Sequence, residues 1–410
     1  PGLSATRADS AAGRPVGRAE ACALAVKRSE ALAARADGLD EADARIAELR
    51  AAVLPRVGLY ATQRWQDAAA GDAVSSRFNQ SSQRTVWIGA RQPLFAGFRE
   101  FLALRAGREL RAARAADDAR AESLLTRDVA TAYVELLGSQ GGLTIRRDLR
   151  RLTAERVREL DERRRLGRSR AGEVLAARAQ LAQLDAQLAR LAGEELAAQE
   201  RLAFVTGLDA PLRPEAVPPP ALPPLEALLA DARERTDVKA RRRDVAAAEL
   251  ALSAARRERW PALAADGNWY LEREGIQQGV RWDAVLSAQL PLFSGGAVSA
   301  RVRASEASRR AAVQEAARAE RIAVLETRTA RRELESALAT VEALTEAVRL
   351  AEENSRAQAE DYRLGQVTNL EVLGSLNALM ESRLQLDDAR LAAGLAGVRL
   401  RVAAGRPPEP

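Results

Sequence analysis

From Trp282 to Leu290 apolar and polar residues alternate: Trp282, Ala284, Leu286, Ala288 and Leu290 share one face, while Asp283, Ser287 and Gln289 lie on the other. A period of two over nine residues predicts a strand. Val57, Leu59, Ala61 and Trp65 alternate in the same way with Arg56, Tyr60, Thr62 and Arg64, as do Leu263, Ala265, Trp269 and Leu271 with Asp266, Asn268, Tyr270 and Glu272. Val86, Ile88 and Ala90 supply a fourth strand, and polar turns from Asp67 to Ser82 and from Arg273 to Val280 join the strands as two hairpins. Elsewhere the period changes. No proline falls between Leu94 and Ala210 or between Leu292 and Arg406, and both runs are rich in strong helix formers, which predicts helices far longer than usual. Leu181, Leu184, Leu188, Leu191, Ala198 and Leu202 step by threes and fours, interrupted at Glu195, as a coiled-coil seam, with a looser counterpart through Leu376, Met380, Leu384, Leu391, Leu395, Val398 and Val402. Gly138, Gly141 and Gly142 are expected to interrupt the first run.

The pattern is written twice. Pro93-Leu94-Phe95 with Gly97 recurs 198 residues on as Pro291-Leu292-Phe293 with Gly295. Arg165-Leu166-Gly167 recurs as Arg363-Leu364-Gly365, Glu173-Val174-Leu175 as Glu371-Val372-Leu373, and Gly207 as Gly405, without insertion or deletion. Loops tolerate length changes and packed helices do not, so each copy is one rigid unit. The reading is a mainly α fold with a small β part and an internal two-fold repeat. Helices are expected over 17–54, 97–207, 225–260 and 297–404, and strand hairpins over 55–95 and 261–293. A stiff proline-rich linker is expected over 208–224 and a disordered tail over 405–410.

Composition narrows the chemistry. Histidine is absent and cysteine occurs once, at Cys22, which leaves no ordinary zinc, haem or Cys/His nucleophile site and no intrachain disulfide; neither metal nor cofactor is expected. Cys22 reads as a small packing residue. The net charge of +6 invites a nucleic-acid reading, but carboxylates are interleaved with the arginines, as in Arg156-Val157-Arg158-Glu159, so solvated helix faces explain it better. All five tryptophans, Trp65, Trp87, Trp260, Trp269 and Trp282, lie in or beside the hairpins. Strands of about 10 residues with aromatics near their ends suit a membrane β-barrel, and a soluble sheet capped by a helical stalk is the alternative. Four strands cannot close a barrel in lipid, so a spanning structure needs several copies; a trimer of twelve strands is one solution.

With these elements in order, the chain resembles the outer-membrane efflux protein family, the TolC-like channels of Gram-negative bacteria. The resemblance spans roughly Ala19 to Gly405. It rests on Leu54-Pro55-Arg56-Val57 and Trp260-Pro261-Ala262-Leu263 at helix-to-strand changes, the paired Pro-Leu-Phe-x-Gly elements, and Tyr362-Arg363-Leu364-Gly365 followed by Leu370-Glu371-Val372-Leu373. It implies a homotrimer with a 12-stranded barrel in the outer membrane, continuous with a long helical barrel across the periplasm. Such a passive duct docks with a periplasmic adaptor and an inner-membrane pump of RND or ABC type, in a tripartite efflux pump or a type I secretion system. A soluble coiled-coil scaffold or adaptor is the rival reading, and no enzymatic activity is expected.

Each repeated motif then has a candidate role. Pro93 with Gly97 and Pro291 with Gly295 mark strand-to-helix transitions, where proline removes a ladder donor and is expected to end the strand. Arg165, Leu166, Gly167, Arg363, Leu364 and Gly365 form helix-reversing tips, and the resemblance implies adaptor contact there. Glu173 and Glu371 are paired carboxylates with no nucleophile, histidine or metal set nearby, which argues against acid-base catalysis. They read either as solvated helix positions or, by the resemblance, as acids lining the periplasmic entrance. Gly374 follows Glu371 where some relatives carry a second carboxylate, which thins any acidic ring. Arg168 and Arg170 are placed to pair with acids on a neighbouring helix and hold the entrance shut.

Overall fold

The computed structural model describes residues 14–67, 81–167, 169–208 and 211–406. The chain runs β1 (Arg14–Val16), α1 (Arg18–Arg28), α2 (Glu30–Ala51), β2 (Arg56–Trp65), β3 (Ser82–Ala96), α3 (Arg99–Arg165), α4 (Ala171–Thr206) and β4 (Leu212–Pro214). It continues through α5 (Leu225–Arg233), α6 (Thr236–Arg256), a 3-10 turn (Arg257–Arg259), β5 (Ala262–Arg273), β6 (Trp282–Gln289), α7 (Ala297–Arg363) and α8 (Asn369–Ala403). Most of the expected first turn, the tail beyond Arg406 and Arg168 lie outside the described residues. No described helix is long and apolar enough to cross a membrane.

Two compact units emerge, one from Pro1–Ala33, Asp118–Thr236 and Glu320–Pro410, the other from Ala34–Asp117 and Asp237–Ala319. In the second unit the strands form one antiparallel sheet in the order β2-β3-β5-β6. Both predicted hairpins are present, and β3 joins them by pairing with β5. Alternation fixes the faces: Val57, Leu59, Trp269, Leu271 and Leu286 are exposed on one side, while Tyr60 stacks on Trp87 at 5.3 Å on the other. Trp87 therefore departs from the other tryptophans and sits among Tyr60 and Tyr270 on the polar face, because it is one residue out of phase with Val86 and Ile88.

The first unit holds the paired parts of two helical hairpins, α3 from Asp118 onward with α4 and α7 from Glu320 onward with α8. Of the predicted seam positions, Leu184, Ala198, Leu202, Met380, Val398 and Val402 are buried, while Leu181, Leu188, Leu191, Leu376, Leu384, Leu391 and Leu395 are half-buried. One core joins Val16, Ala21, Val129, Tyr133, Leu136, Leu202 and Leu212, and another joins Leu228, Leu334, Ala396 and Leu400. The glycine interruption does not occur: α3 is continuous for 67 residues through Gly138, Gly141 and Gly142. A Cβ on Gly138 would lie 2.7 Å from Leu391 Cδ1, and one on Gly141 would run into the Asp387 carboxylate. These glycines let α8 approach α3 closely, and that packing outweighs a propensity cost of about 1 kcal/mol each. Gly138→Val is expected to loosen this seam, seen as faster amide exchange in α8 around Leu391.

The proline-rich stretch is extended, yet it is more than a solvated linker. Leu212–Pro214 pairs in parallel with Arg14–Val16, and Pro220 rests against Gly397, where a Cβ would come within 2.6 Å. Tyr133 ties this corner together. Its buried hydroxyl donates to the carbonyls of Val16 (2.9 Å) and Glu215 (3.0 Å) and accepts the Glu215 N–H (2.6 Å), and burial pushes its pKa up.

Candidate channel tip and strand-helix junctions

At the end of the first hairpin α3 stops at Arg165, and Gly167 turns the chain with φ +70°, its N–H donating to the Arg164 carbonyl at 2.9 Å. At the second, Gly365 takes φ +74° and donates to the Tyr362 carbonyl at 3.1 Å. Left-handed glycines end helices without a Cβ penalty, which explains the repeated Arg-Leu-Gly. Arg165 and Arg363 are exposed, and Leu166 and Leu364 project into solvent with 70% and 72% of their surface free.

Glu173 and Glu371 occupy the third position of the returning helices α4 and α8, and each closes a helix cap. The Glu371 carboxylate accepts the Thr368 N–H (2.6 Å) and hydroxyl (2.9 Å), while the Thr368 hydroxyl accepts the Glu371 N–H (3.4 Å). Glu173 accepts the Ser169 hydroxyl at 2.6 Å and the Arg170 N–H at 3.4 Å. The Thr368–Glu371 pair is the reciprocal capping box, legible as Thr368-x-x-Glu371, and Glu173 supplies only the half that reaches back to the backbone before its helix. The side chain of Arg170 is exposed and forms no ion pair among the described residues.

Hydrogen bonds from the Thr368 backbone and then its side chain hold the Glu371 carboxyl below the usual carboxylate range. A depressed folded pKa gives stability that is complete above the unfolded value and is lost as pH falls through the folded one. The first turn of α8 should therefore fray as pH drops from about 5 towards about 3, with Glu371→Gln flattening that dependence in amide exchange.

The two hairpins are latched behind the tips by contacts between the two copies. The guanidinium carbons of Arg156 and Arg163 lie 3.9 and 4.8 Å from the centroid of the Tyr362 ring. Arg156 also donates to the buried Asn369 Oδ1 at 2.6 Å, and Gln180 donates to Asn377 at 2.6 Å. Below them Val157, Leu160, Val174, Ala177 and Leu373 make a small apolar core. No local pattern announces these pairings, because the partners stand some 200 residues apart.

The strand-helix junctions, in the other unit, differ between copies. Pro93 does not end its strand: β3 continues to Ala96, Pro93 faces Ala264, and the register shifts between Pro93 and Phe95. A bulge tolerates proline where a regular ladder would not. In the second copy β6 stops at Gln289, and Pro291 follows it. Both copies then turn with left-handed backbone, Gly97 and Phe98 at φ +69° and +59°, Gly295 and Gly296 at +59° and +83°.

A duplicated helical hairpin and a duplicated strand hairpin together define the fold class of an outer-membrane channel. Solved structures share this fold: a membrane protein from Pseudomonas aeruginosa (TM-score 0.84, 21% identity, covering 95% of this chain and 90% of that one), CusC (0.83, 18%, 95% and 92%) and VceC from Vibrio cholerae (0.82, 19%, 96% and 97%). No curated protein matches the chain in sequence. The family model described as outer membrane efflux protein matches residues 22–208 and 229–406, once for each copy. The chain belongs to the outer membrane efflux protein family, whose members are channels of the Gram-negative outer membrane extending into the periplasm. Membership sets aside the soluble scaffold.

Proposed function

We propose that this chain is the protomer of a homotrimeric, passive exit duct serving a tripartite efflux pump, with a periplasmic adaptor and an inner-membrane pump of RND or ABC type as partners. The observation that carries this reading is a four-stranded sheet whose outer strands, β2 and β6, each leave one edge without a partner strand among the described residues while their apolar face is exposed. Open edges in lipid leave backbone groups unsatisfied, and three copies close twelve strands. In this reading the tips Arg165-Leu166-Gly167 and Arg363-Leu364-Gly365 meet the adaptor, with Leu166 and Leu364 as apolar anchors. Glu173 and Glu371 border the entrance and Arg168 and Arg170 bridge to acids of neighbouring helices, keeping the resting pore narrow.

The protein is expected to fractionate with outer membranes and to migrate as a trimer in mild detergent; recovery as a soluble monomer would sink the reading. For the entrance, Glu371→Ala should change cation selectivity in planar bilayers and Arg168→Ala with Arg170→Ala should raise resting conductance. Wild-type values in both would return these residues to a solvated face.

A further inference from the structure

Trp87 lies on the polar face of the sheet, where a passive duct has no use for it. The register shifts beside it: Val86 faces Glu272 while Trp87 faces Tyr270, so β5 bulges at Leu271 and brings Tyr270 opposite the indole. On the other side Trp87 faces Tyr60, with ring centroids 5.3 Å apart, and the Trp87 and Tyr270 centroids are 6.4 Å apart. Three rings from three adjacent strands thus make one row. Arg273 extends it, its guanidinium carbon 4.0 Å from the centre of the Tyr270 ring. Packing does not account for the row, because its rings join none of the apolar cores and Tyr60 remains 50% exposed. Nor does the fold require it, since the repeat puts Val285 where Trp87 would recur.

Beside the row the same face steps down and becomes charged. Gly58 and Gly89 are directly opposite; a Cβ on Gly58 would lie 3.1 Å from the Tyr60 hydroxyl and one on Gly89 2.9 Å from its Cε2, so the ring leans over the glycine pair. One same-face step further, about 6.8 Å along the strands, Arg56 and Arg91 stand opposite each other. Like charges so placed repel. Asp266 answers Arg91 at 3.7 Å, while Arg56 forms no ion pair among the described residues. Two guanidiniums held side by side by the register offer forked donors that match a carboxylate, sulfonate or phosphate. Resting on the proposed duct, which turns this face to the lumen, we infer that the ring row and the arginine pair form a lumen site for planar aromatic anions. The solute's ring stacks on Tyr60 and Trp87, and its acid group is held by Arg56 and Arg91.

The test titrates naphthalene-2-sulfonate, planar and anionic, against the full chain by calorimetry in nonionic detergent and against its current in planar bilayers. It should bind and reduce the current. Butanesulfonate, anionic only, and benzyltrimethylammonium, aromatic but cationic, should each be at least tenfold weaker in both measurements. Tyr60→Leu, and Arg56→Gln combined with Arg91→Gln, should each weaken naphthalene-2-sulfonate at least tenfold. Arg84→Gln removes a charge from the opposite face and should leave its affinity within about twofold. The three probes on wild-type protein read the site even where Tyr60→Leu fails to assemble. Butanesulfonate binding as tightly as naphthalene-2-sulfonate overturns the ring platform, and unchanged affinity in the double arginine variant overturns the anion clamp. An equal loss in Arg84→Gln reveals a net-charge effect and overturns the site. A protein that conducts but binds none of the probes overturns the inference and leaves the duct standing. A protein that binds naphthalene-2-sulfonate yet never conducts overturns the duct, and the placement of the site in a lumen with it.

Discussion

Leu286→Arg is expected to leave almost no protein assembled in outer membranes, whereas Ser287→Arg, one residue on, should assemble like the wild type and alter only conductance. Both lie mid-strand in β6, where Leu286 faces Ala265 and Ser287 faces Ala264 across the ladder. Alternation puts Leu286, 72% exposed in the protomer, on the face shared with Val57 and Leu59, and Ser287 on the face with Tyr270 and Asp283. Arginine on the lipid face at mid-bilayer costs about 2–4 kcal/mol per copy, so about 6–12 kcal/mol in a trimer. That rivals the whole stability of an ordinary domain, about 5–15 kcal/mol. Membrane fractionation with unheated gels reads the result; equal behaviour of the two variants would mean that the sheet does not present these faces to lipid and pore.

The second large effect is expected at Tyr133. Tyr133→Phe keeps the ring but removes the hydroxyl that bonds the Val16 and Glu215 carbonyls and the Glu215 N–H; that N–H keeps its bond to the Val16 carbonyl at 3.4 Å, so the cost is about 0.5–1.5 kcal/mol. Tyr133→Ala adds the cavity, about 3–5 kcal/mol for a large aromatic. Tyr362→Phe makes a sharp control, since Arg156 and Arg163 engage the ring face and the stack survives the loss of the hydroxyl. Thermal loss of helical ellipticity should come earliest in Tyr133→Ala, earlier in Tyr133→Phe than in wild type, and unchanged in Tyr362→Phe. Wild-type behaviour of Tyr133→Phe would show that water replaces the hydroxyl and that β1 and β4 are not held by it.

Three features were legible in the chain because they are local. Period two drew the four strands and fixed which residues share a face, since a strand has no other way to place its side chains. Absence of proline and steps of three and four drew the long helices, and glycine marked each tip because a left-handed turn excludes most other residues. The 198-residue repeat needed only the letters. Tertiary structure decided what depends on partners distant in sequence. It carried α3 through Gly138 and Gly141, where close approach by α8 turns apparent helix breakers into packing sites. It ran β3 past Pro93, because β5 offered a ladder for the strand to continue along. It made a strand pair from Arg14–Val16 and Leu212–Pro214, too short to show any period, with Tyr133 as its anchor. It also turned Glu173 and Glu371 from free charges into helix caps. Composition and spacing determine which elements form; only the fold determines which of them touch, because burial and hydrogen bonding are settled between residues that sequence order keeps apart.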